Sequence, residues 1–297
     1  MPKGTPTPIR RWRVRLPLRY PWNGLSSRDA LIVEGPAGFG EASPLPGFPC
    51  PPARSRRSAI EAAFSGWPPP VRRHVKVSSV IPALSPVDAA ALAREGTRRG
   101  MSCVKVKLGR GDDLGRVAAV RDAVGPTVQI RVDPNGAWDL DTARRRLTGL
   151  ARYDLEFAEQ PVATLEDLAR LRRLVDVPLA ADEVVRSVDD ARRLVRLQAA
   201  DLLVVKVQPL GGVRAALEVV EAAGVPVVVS SMLETSVGLA AGLALAGAVP
   251  ELPFACGLAT ATLLAADVTD DPLVPRDGRL EVGAVVASPS LLARYAR

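Results

Sequence analysis

A chain of 297 residues is long for one compact domain and sufficient for a barrel with an appendage. Its 47% hydrophobic content supplies a large core, and a single histidine, His74 in the basic stretch RRHVK, excludes multi-His zinc or iron centres and leaves a histidine triad one remote candidate. The net charge of +7 is scattered as RRWRVR, RSRR and RRR over separate segments with few aromatics, a pattern that argues against nucleic-acid binding while suiting an anionic small-molecule substrate.

The leading stretch MPKGTPTPIRRWRV has no apolar core of the kind a secretory signal needs. The longest nearly uncharged run, Thr235–Pro250, falls short of the roughly 20 apolar residues that cross a bilayer, so it reads as a core helix and no membrane association is expected. Cys50, Cys103 and Cys256 form neither a CxxC pair nor an even framework, which fits a reducing, cytoplasmic compartment.

In chain order, IRRWRVRLPLRY, DALIVEG and GFGEAS predict antiparallel strands joined by Gly- and Pro-rich turns. PLPGFPCPP reads as a loop and SRRSAIEAAFSGW as a helix. Residues 1–74 are therefore expected to form a small α+β unit. From residue 75 eight apolar runs follow at βα spacing: 75–81, 102–108, 128–133, 155–160, 177–183, 201–207, 225–231 and 252–257. Segments with helical periodicity separate them, with Ser or Asp near their starts. This alternation predicts an α/β fold, a (β/α)8-type barrel over 75–262. An open doubly wound sheet is the alternative, but it calls for a Gly-rich phosphate turn after its first strand, and none is there. Residues 263–297 carry one more strand-like run, RLEVGAVVA, expected to pack back on the N-terminal unit.

Active sites of such barrels lie at the C-terminal strand ends. The late positions of the runs carry Lys105 and Lys107, then Arg131 and Asp133, Glu159, Asp182, Lys206, Ser230 and Ser231, and Gly257. Lys105 and Lys107 share one face of their strand, as do Arg131 and Asp133. Each has an ordinary reading: Asp133 could cap the DPNG turn, Asp182 could cap a helix, Arg131 could form a salt bridge inside the barrel, and Lys206 could pair with an acid. As a set they differ. Three carboxylates on three consecutive strands repel one another unless a hard cation, Mg²⁺ or another divalent ion, joins them. A lysine beside a metal and another cation can act as a base near neutrality.

K-x-K, D-x-N, E-Q-P, D-E and a lysine on successive strands resemble the enolase superfamily, in its muconate-lactonizing subgroup. The resemblance covers nearly the whole chain, and GFGEASPLPGFP is similar to a segment of that superfamily's N-terminal capping domain. SRDALIVEG, GEASPLPGF, VSSMLETSVGL and CGLAT are most similar to the o-succinylbenzoate synthase family, menaquinone-pathway lyases. The resemblance implies Mg²⁺ on Asp133, Glu159 and Asp182, Lys107 as general base, Lys105 as its helper and Lys206 as the cation on the opposite face. It implies substrate-carboxylate contacts at Ser230, Ser231 and Gly257, with Arg131 as a further carboxylate contact. One departure is the short N-terminal unit, whose capping loops PWNGLSSRD and PLPGFPCPP normally close over the substrate. A racemase of N-acylamino acids or a dipeptide epimerase shares the lysine pair and is the alternative enzyme. A non-catalytic basic anion-binding barrel is the third reading, and it predicts indifference to Mg²⁺. No oligomeric state follows from the sequence.

Overall fold

The computed structural model describes residues 9–297. The first two strands, β1 (Arg10–Trp22) and β2 (Leu25–Gly35), form a hairpin through Asn23 and Gly24, both at positive φ. Asn-Gly suits that turn because its backbone twist matches the strands. The third strand, β3 (Gly38–Ala42), completes an antiparallel sheet in the order β1-β2-β3. Helix α1 (Pro52–Ile60) follows and widens into a single π turn through Ser65. Val33, Ala42, Ala59 and Ala63 form the small core between sheet and helix.

The rest of the described chain is βα alternation. Its elements are β4 (His74–Lys76), β5 (Ser79–Ile81), α2 (Pro86–Arg98), β6 (Cys103–Lys107), α3 (Asp113–Val124), β7 (Gln129–Asp133), α4 (Leu140–Leu150), β8 (Leu155–Glu159) and α5 (Leu165–Arg172). These are followed by β9 (Leu179–Ala181), α6 (Val188–Leu197), β10 (Leu202–Lys206), the one-turn α7 (Val207–Leu210), α8 (Val213–Ala223), β11 (Val227–Ser230), α9 (Ser236–Ala248), β12 (Arg279–Glu281) and α10 (Pro289–Arg294). Ser85, Asp112, Asp139, Thr164, Ser187 and Thr235 each cap a helix by accepting a backbone N–H.

Seven parallel strands, β5 to β11, form one curled sheet. The eighth expected strand is reduced to two pairings in 252–257: Cys256 bridges Val77 and Gly257 bridges Ser230. Pro253 lacks an N–H, and only Cys256 and Gly257 find partners, one on each side of the seam. The first expected strand also divides, since His74–Lys76 leaves the parallel sheet and pairs antiparallel with β12. RLEVGAVVA thus meets β4 at its Arg279–Glu281 end, while Val14, Leu16, Ala287 and Leu292 share a separate cluster near β1.

Strand parity decides what lies inside. Val104, Val106, Ile130, Val132, Ala158, Leu179, Leu203, Val205, Val227 and Val229 pack outward into the helix layer. The alternate positions face inward. Phe157, Ala180, Leu202, Val204 and Val228 fill the lower interior with Phe254. One layer nearer the strand C-termini, the inward positions are the polar residues singled out above, Arg131 excepted. Helix α9 is buried along nearly its whole length, and among the described residues no helix is long and apolar enough to cross a membrane.

A β-carbon on Gly40 would stand 2.0 Å from the backbone oxygen of Ala59 in α1. A backbone oxygen within a helix cannot swing aside, so Gly40→Ala is expected to cost about 1–3 kcal/mol, the scale of overpacked sites. The check is a lowered urea midpoint at unchanged slope.

Candidate active site

Hydrogen bonds gather the strand-end acids and lysines into one buried cluster. Lys105 Nζ, on β6, donates to Asp133 Oδ2 at 3.0 Å and to Glu159 at 2.8 and 3.0 Å. Lys107 Nζ donates to Asp133 Oδ2 at 2.5 Å and to Asn135 Oδ1 at 2.9 Å. Lys206 Nζ, on β10, donates to Asp182 and lies 4.0 Å from Glu159. β6 and β10 are separated in the sheet by β7, β8 and β9, which carry the acids. Lys107 and Lys206 therefore approach the carboxylates from opposite sides.

Burial sets the electrostatics. Asp133, Glu159 and Asp182 are at most 4% exposed, so each carboxylate has lost nearly all of its water. Burial pushes Glu159 up to about 7, reinforced by repulsion from Asp133 and Asp182. Burial likewise raises Asp182. Burial acts the same way on Asp133, but the ammonium groups of Lys105 and Lys107 outweigh it and hold this acid far below the usual carboxylate range. For Lys105 and Lys206 burial favours the neutral form. The facing carboxylates prevail and keep both lysines firmly protonated.

A cavity of about 550 Å³ opens above the cluster. Lys105, Lys107, Lys206, Ser230, Ser231 and Gly257 all line it. Ser231 Oγ donates to Gly257 O at 2.7 Å, and Ser230 Oγ sits 2.5 Å from where a β-carbon on Gly257 would be, so a larger residue there would displace that hydroxyl. Arg131 does not line this cavity. It shares parity with Asp133 but lies a layer lower, over the Phe157 ring and beside Phe254, donating to Glu156 at 2.5 Å and to Ala255 O at 2.7 Å. Its Nη2 is buried without a protein partner.

The capping domain supplies the opposite wall. Trp22, at the hairpin turn, places its ring 5.3 Å from Lys107 Nζ, and Phe48 in the following loop places its ring 4.5 Å from Lys206 Nζ. Each ring face attracts the ammonium beneath it. Both lie in the capping loops read from the sequence, PWNGLSSRD and PLPGFPCPP, but neither ring could be singled out there, because their partners are far away along the chain. Asn135 and Glu183 also line the cavity and are joined at 2.8 Å, tying the D-x-N turn to the D-E strand end.

Asp133, Glu159 and Asp182 are the natural donor set for a hard cation, since they are anionic oxygens on adjacent strand ends. Among the described residues, however, no three His, Cys, Asp or Glu side chains are gathered to hold a metal ion as they stand. The reason is geometric: lysine nitrogens occupy the space between the acids, and Lys105 Nζ is within 3.0 Å of two of them. The donors fit a divalent cation in kind and charge.

Residues 88–285 match the family described as Enolase C-terminal domain-like, and residues 13–63 match Enolase N-terminal domain-like. A protein of Thermobifida fusca (strain YX) named o-succinylbenzoate synthase is 51% identical over 284 residues, spanning 94% of this chain and 89% of its own length. One of the same name from Mycobacterium tuberculosis (strain ATCC 25177 / H37Ra) is 44% identical over 289 residues, spanning 94% of this chain and 86% of itself. Among solved structures, a muconate lactonizing enzyme from Pseudomonas fluorescens, complexed with muconolactone, superposes with a TM-score of 0.88 at 23% identity, covering 98% of both chains. An N-succinyl Arg/Lys racemase from Bacillus cereus ATCC 14579 gives 0.85 at 23%, covering 97% of both. At that identity these two structures establish the fold.

Lys105 is the shared counter-ion of two buried acids. Lys105→Met is expected to destabilise the protein by about 3–5 kcal/mol, the scale of a broken buried pair. Glu159, already raised to about 7, binds a proton more tightly folded than unfolded. Stability from that proton is present below the unfolded value and is lost as pH rises through 7. The Lys105→Met deficit should therefore be larger at pH 8 than at pH 5, as urea unfolding at both pH values will record.

Proposed function

The chain belongs to the enolase superfamily, and on that premise we propose that it is an o-succinylbenzoate synthase, a lyase that dehydrates 2-succinyl-6-hydroxy-2,4-cyclohexadiene-1-carboxylate to 2-succinylbenzoate in menaquinone biosynthesis. The observation that carries this reading is the 51% identity to a relative of that name over 94% of the chain, joined to a lysine-lined cavity over three buried acids. Asp133, Glu159 and Asp182 would hold Mg²⁺ or a similar divalent cation. Bound there, such an ion would supply the Lewis acidity that makes a C–H beside a carboxylate more acidic. Enolase-superfamily sites pair a lysine or histidine base with such support, and with His74 remote on β4 the base here is a lysine.

Lys107 is the proposed base. It takes the α-proton in its neutral form, then returns a proton to the departing hydroxide from the same face, and the ring becomes aromatic. Lys206, held protonated by Asp182 and Glu159, faces the charge that develops during proton removal and stabilises it. Lys105 stays charged between Asp133 and Glu159 and offsets their repulsion. Ser230, Ser231 and the backbone at Gly257 offer polar contacts for the substrate's carboxylates. Arg131, buried below the cavity, would support the site from beneath without touching the substrate. We further propose residues 1–74 as the capping unit, 75–262 as the barrel, and 263–297 as a tail packing back. The three cysteines are buried and free, which favours a cytoplasmic enzyme acting on a small anionic carboxylate.

A racemase of N-succinyl amino acids is the second reading, favoured by the lysines on both sides of the acids. The two readings separate on substrate. With Mg²⁺ and the cyclohexadiene substrate, Lys107→Ala is expected to lose about 10³-fold or more in kcat. Lys206→Arg keeps a cation but misplaces it, with a loss of about 10²-fold expected. In ²H₂O, a racemase would exchange the α-proton of an N-succinyl amino acid, and Lys206→Arg would block exchange for one enantiomer alone. Full dehydration by Lys107→Ala would remove that lysine from the mechanism.

A further inference from the structure

Gln208 lies two residues beyond Lys206, in the single turn of α7, and is 2% exposed. Its amide is spent on the capping domain. Gln208 Oε1 accepts from Ser43 N at 2.8 Å and from the Ser55 hydroxyl on α1, and Nε2 donates to Ser43 Oγ at 3.2 Å and to Glu234 at 3.3 Å. Arg28 of β2 closes the other side. It donates to Ser43 O at 2.5 Å and also to Leu233 O and Met232 O, at 3.2 and 3.3 Å, in the loop after β11. Ser43 Oγ donates in turn to Glu41 at 2.5 Å, and Glu41 receives Gly238 N at 3.0 Å from α9. Every polar atom of Ser43 is thus held, from both domains.

Ser43 is where the Pro44–Phe48 loop begins. Leu45, Pro46, Gly47 and Phe48 line the cavity, and the Phe48 ring lies over Lys206. Met232 and Leu233 line it from the barrel side, and Leu233 holds a positive φ of 62° that few non-glycine residues adopt. We propose that Gln208 is a positioning residue: by clamping Ser43 it seats Phe48 against Lys206 and so couples closure of the capping loop to the cation it covers. This rests on the reading of Lys206 as the charge-stabilising lysine. A glutamine suits the task because one amide presents an acceptor and donors together, which an acid or an aliphatic side chain cannot.

The test is a pair of measurements on the full chain. In Gln208→Met, hydrogen exchange at the Ser43 and Phe48 amides, the hydrogen-bonded N–H groups of the 43–48 segment, should quicken at least tenfold while the 103–107 and 202–206 strands keep their protection. Should that variant unfold, Ser55→Ala, which removes one hydroxyl, should give the same local acceleration on a smaller scale. Turnover of the cyclohexadiene substrate then tests coupling. Gln208→Met and Phe48→Leu should each reduce kcat/KM about tenfold, and the double variant should stay near tenfold because both disturb one contact. A hundredfold loss in the double variant, or undisturbed exchange at the Ser43 and Phe48 amides in a folded variant, overturns the proposal. If the wild-type chain does not turn over this substrate, the functional reading falls, whereas the exchange measurement still decides whether Gln208 clamps the loop.

Discussion

The constraint on which the rest of the structure depends is the burial of three carboxylates with Lys105 and Lys206 inside a barrel, with Lys107 beside them at the edge of the cavity. Removing any one charge from water costs several kcal/mol, and mutual attraction repays it only with good geometry. Here the geometry comes from adjacency. Lys105, Asp133, Glu159 and Asp182 occupy neighbouring parallel strands, with Lys107 and Lys206 at the flanks, so each charge meets an opposite one across a strand gap. The floor beneath is apolar, made by Phe157, Leu202, Val204 and Val228. That floor lowers the local dielectric, which strengthens every pairing and penalises every gap. The strand turns, the helix caps and the Arg131–Glu156 pair below keep the strand ends in register for this balance.

The capping domain then completes what the barrel leaves open. Its first loop is only the Asn23–Gly24 turn, so Trp22 reaches Lys107 from the end of a rigid hairpin. Its second loop is anchored by Ser43 and carries Phe48 over Lys206. The two lysines approaching from opposite sides of the acids therefore each receive an aromatic lid. A short hairpin turn does not leave this side of the cavity bare, because one large ring covers what a longer loop would have covered.

The alternation of Lys105 and Lys107 with Val104 and Val106 was legible from sequence because strand parity is rigid. Apolar residues that meet helices on one face leave the other face to the interior. The same parity placed Asp133, Glu159, Asp182 and Lys206 inward. Parity gives a face and not a height, which is why Arg131 could be assigned to the interior but not to its lower layer. The eighth strand shrank to two pairings because Pro253 and the turn before it leave few free backbone groups, a loss that an apolar run does not reveal. Gln208 stood outside every motif, and Trp22, Arg28 and Phe48 lay within the capping-domain stretches PWNGLSSRD and PLPGFPCPP without being singled out. Arg28 alone acts across 15 to 205 positions of chain, and local pattern has no access to contacts of that range.

Solved structures that share this fold include a lactonizing enzyme, a dipeptide epimerase and a racemase, at 20–24% identity. The scaffold alone therefore does not select the reaction. On the proposed reading, acids on β7 and β8 with lysines on β6 and β10 would lower the cost of removing a proton beside a carboxylate, whichever bond then breaks or forms. The fate of the resulting carbanion depends on the groups that surround the rest of the substrate. In this chain Trp22 and the Leu45–Phe48 segment of the cap line the cavity across from Ser230 to Leu233 of the barrel, and on the proposed reading they would be those groups. Both walls are fastened by one set of hydrogen bonds, in which Arg28 reaches Ser43 on one side and Met232 on the other. A substrate that pushes on either wall strains the same joint. On the proposed reading, shape would be read by both domains at once, while the buried charges beneath would perform chemistry common to many shapes.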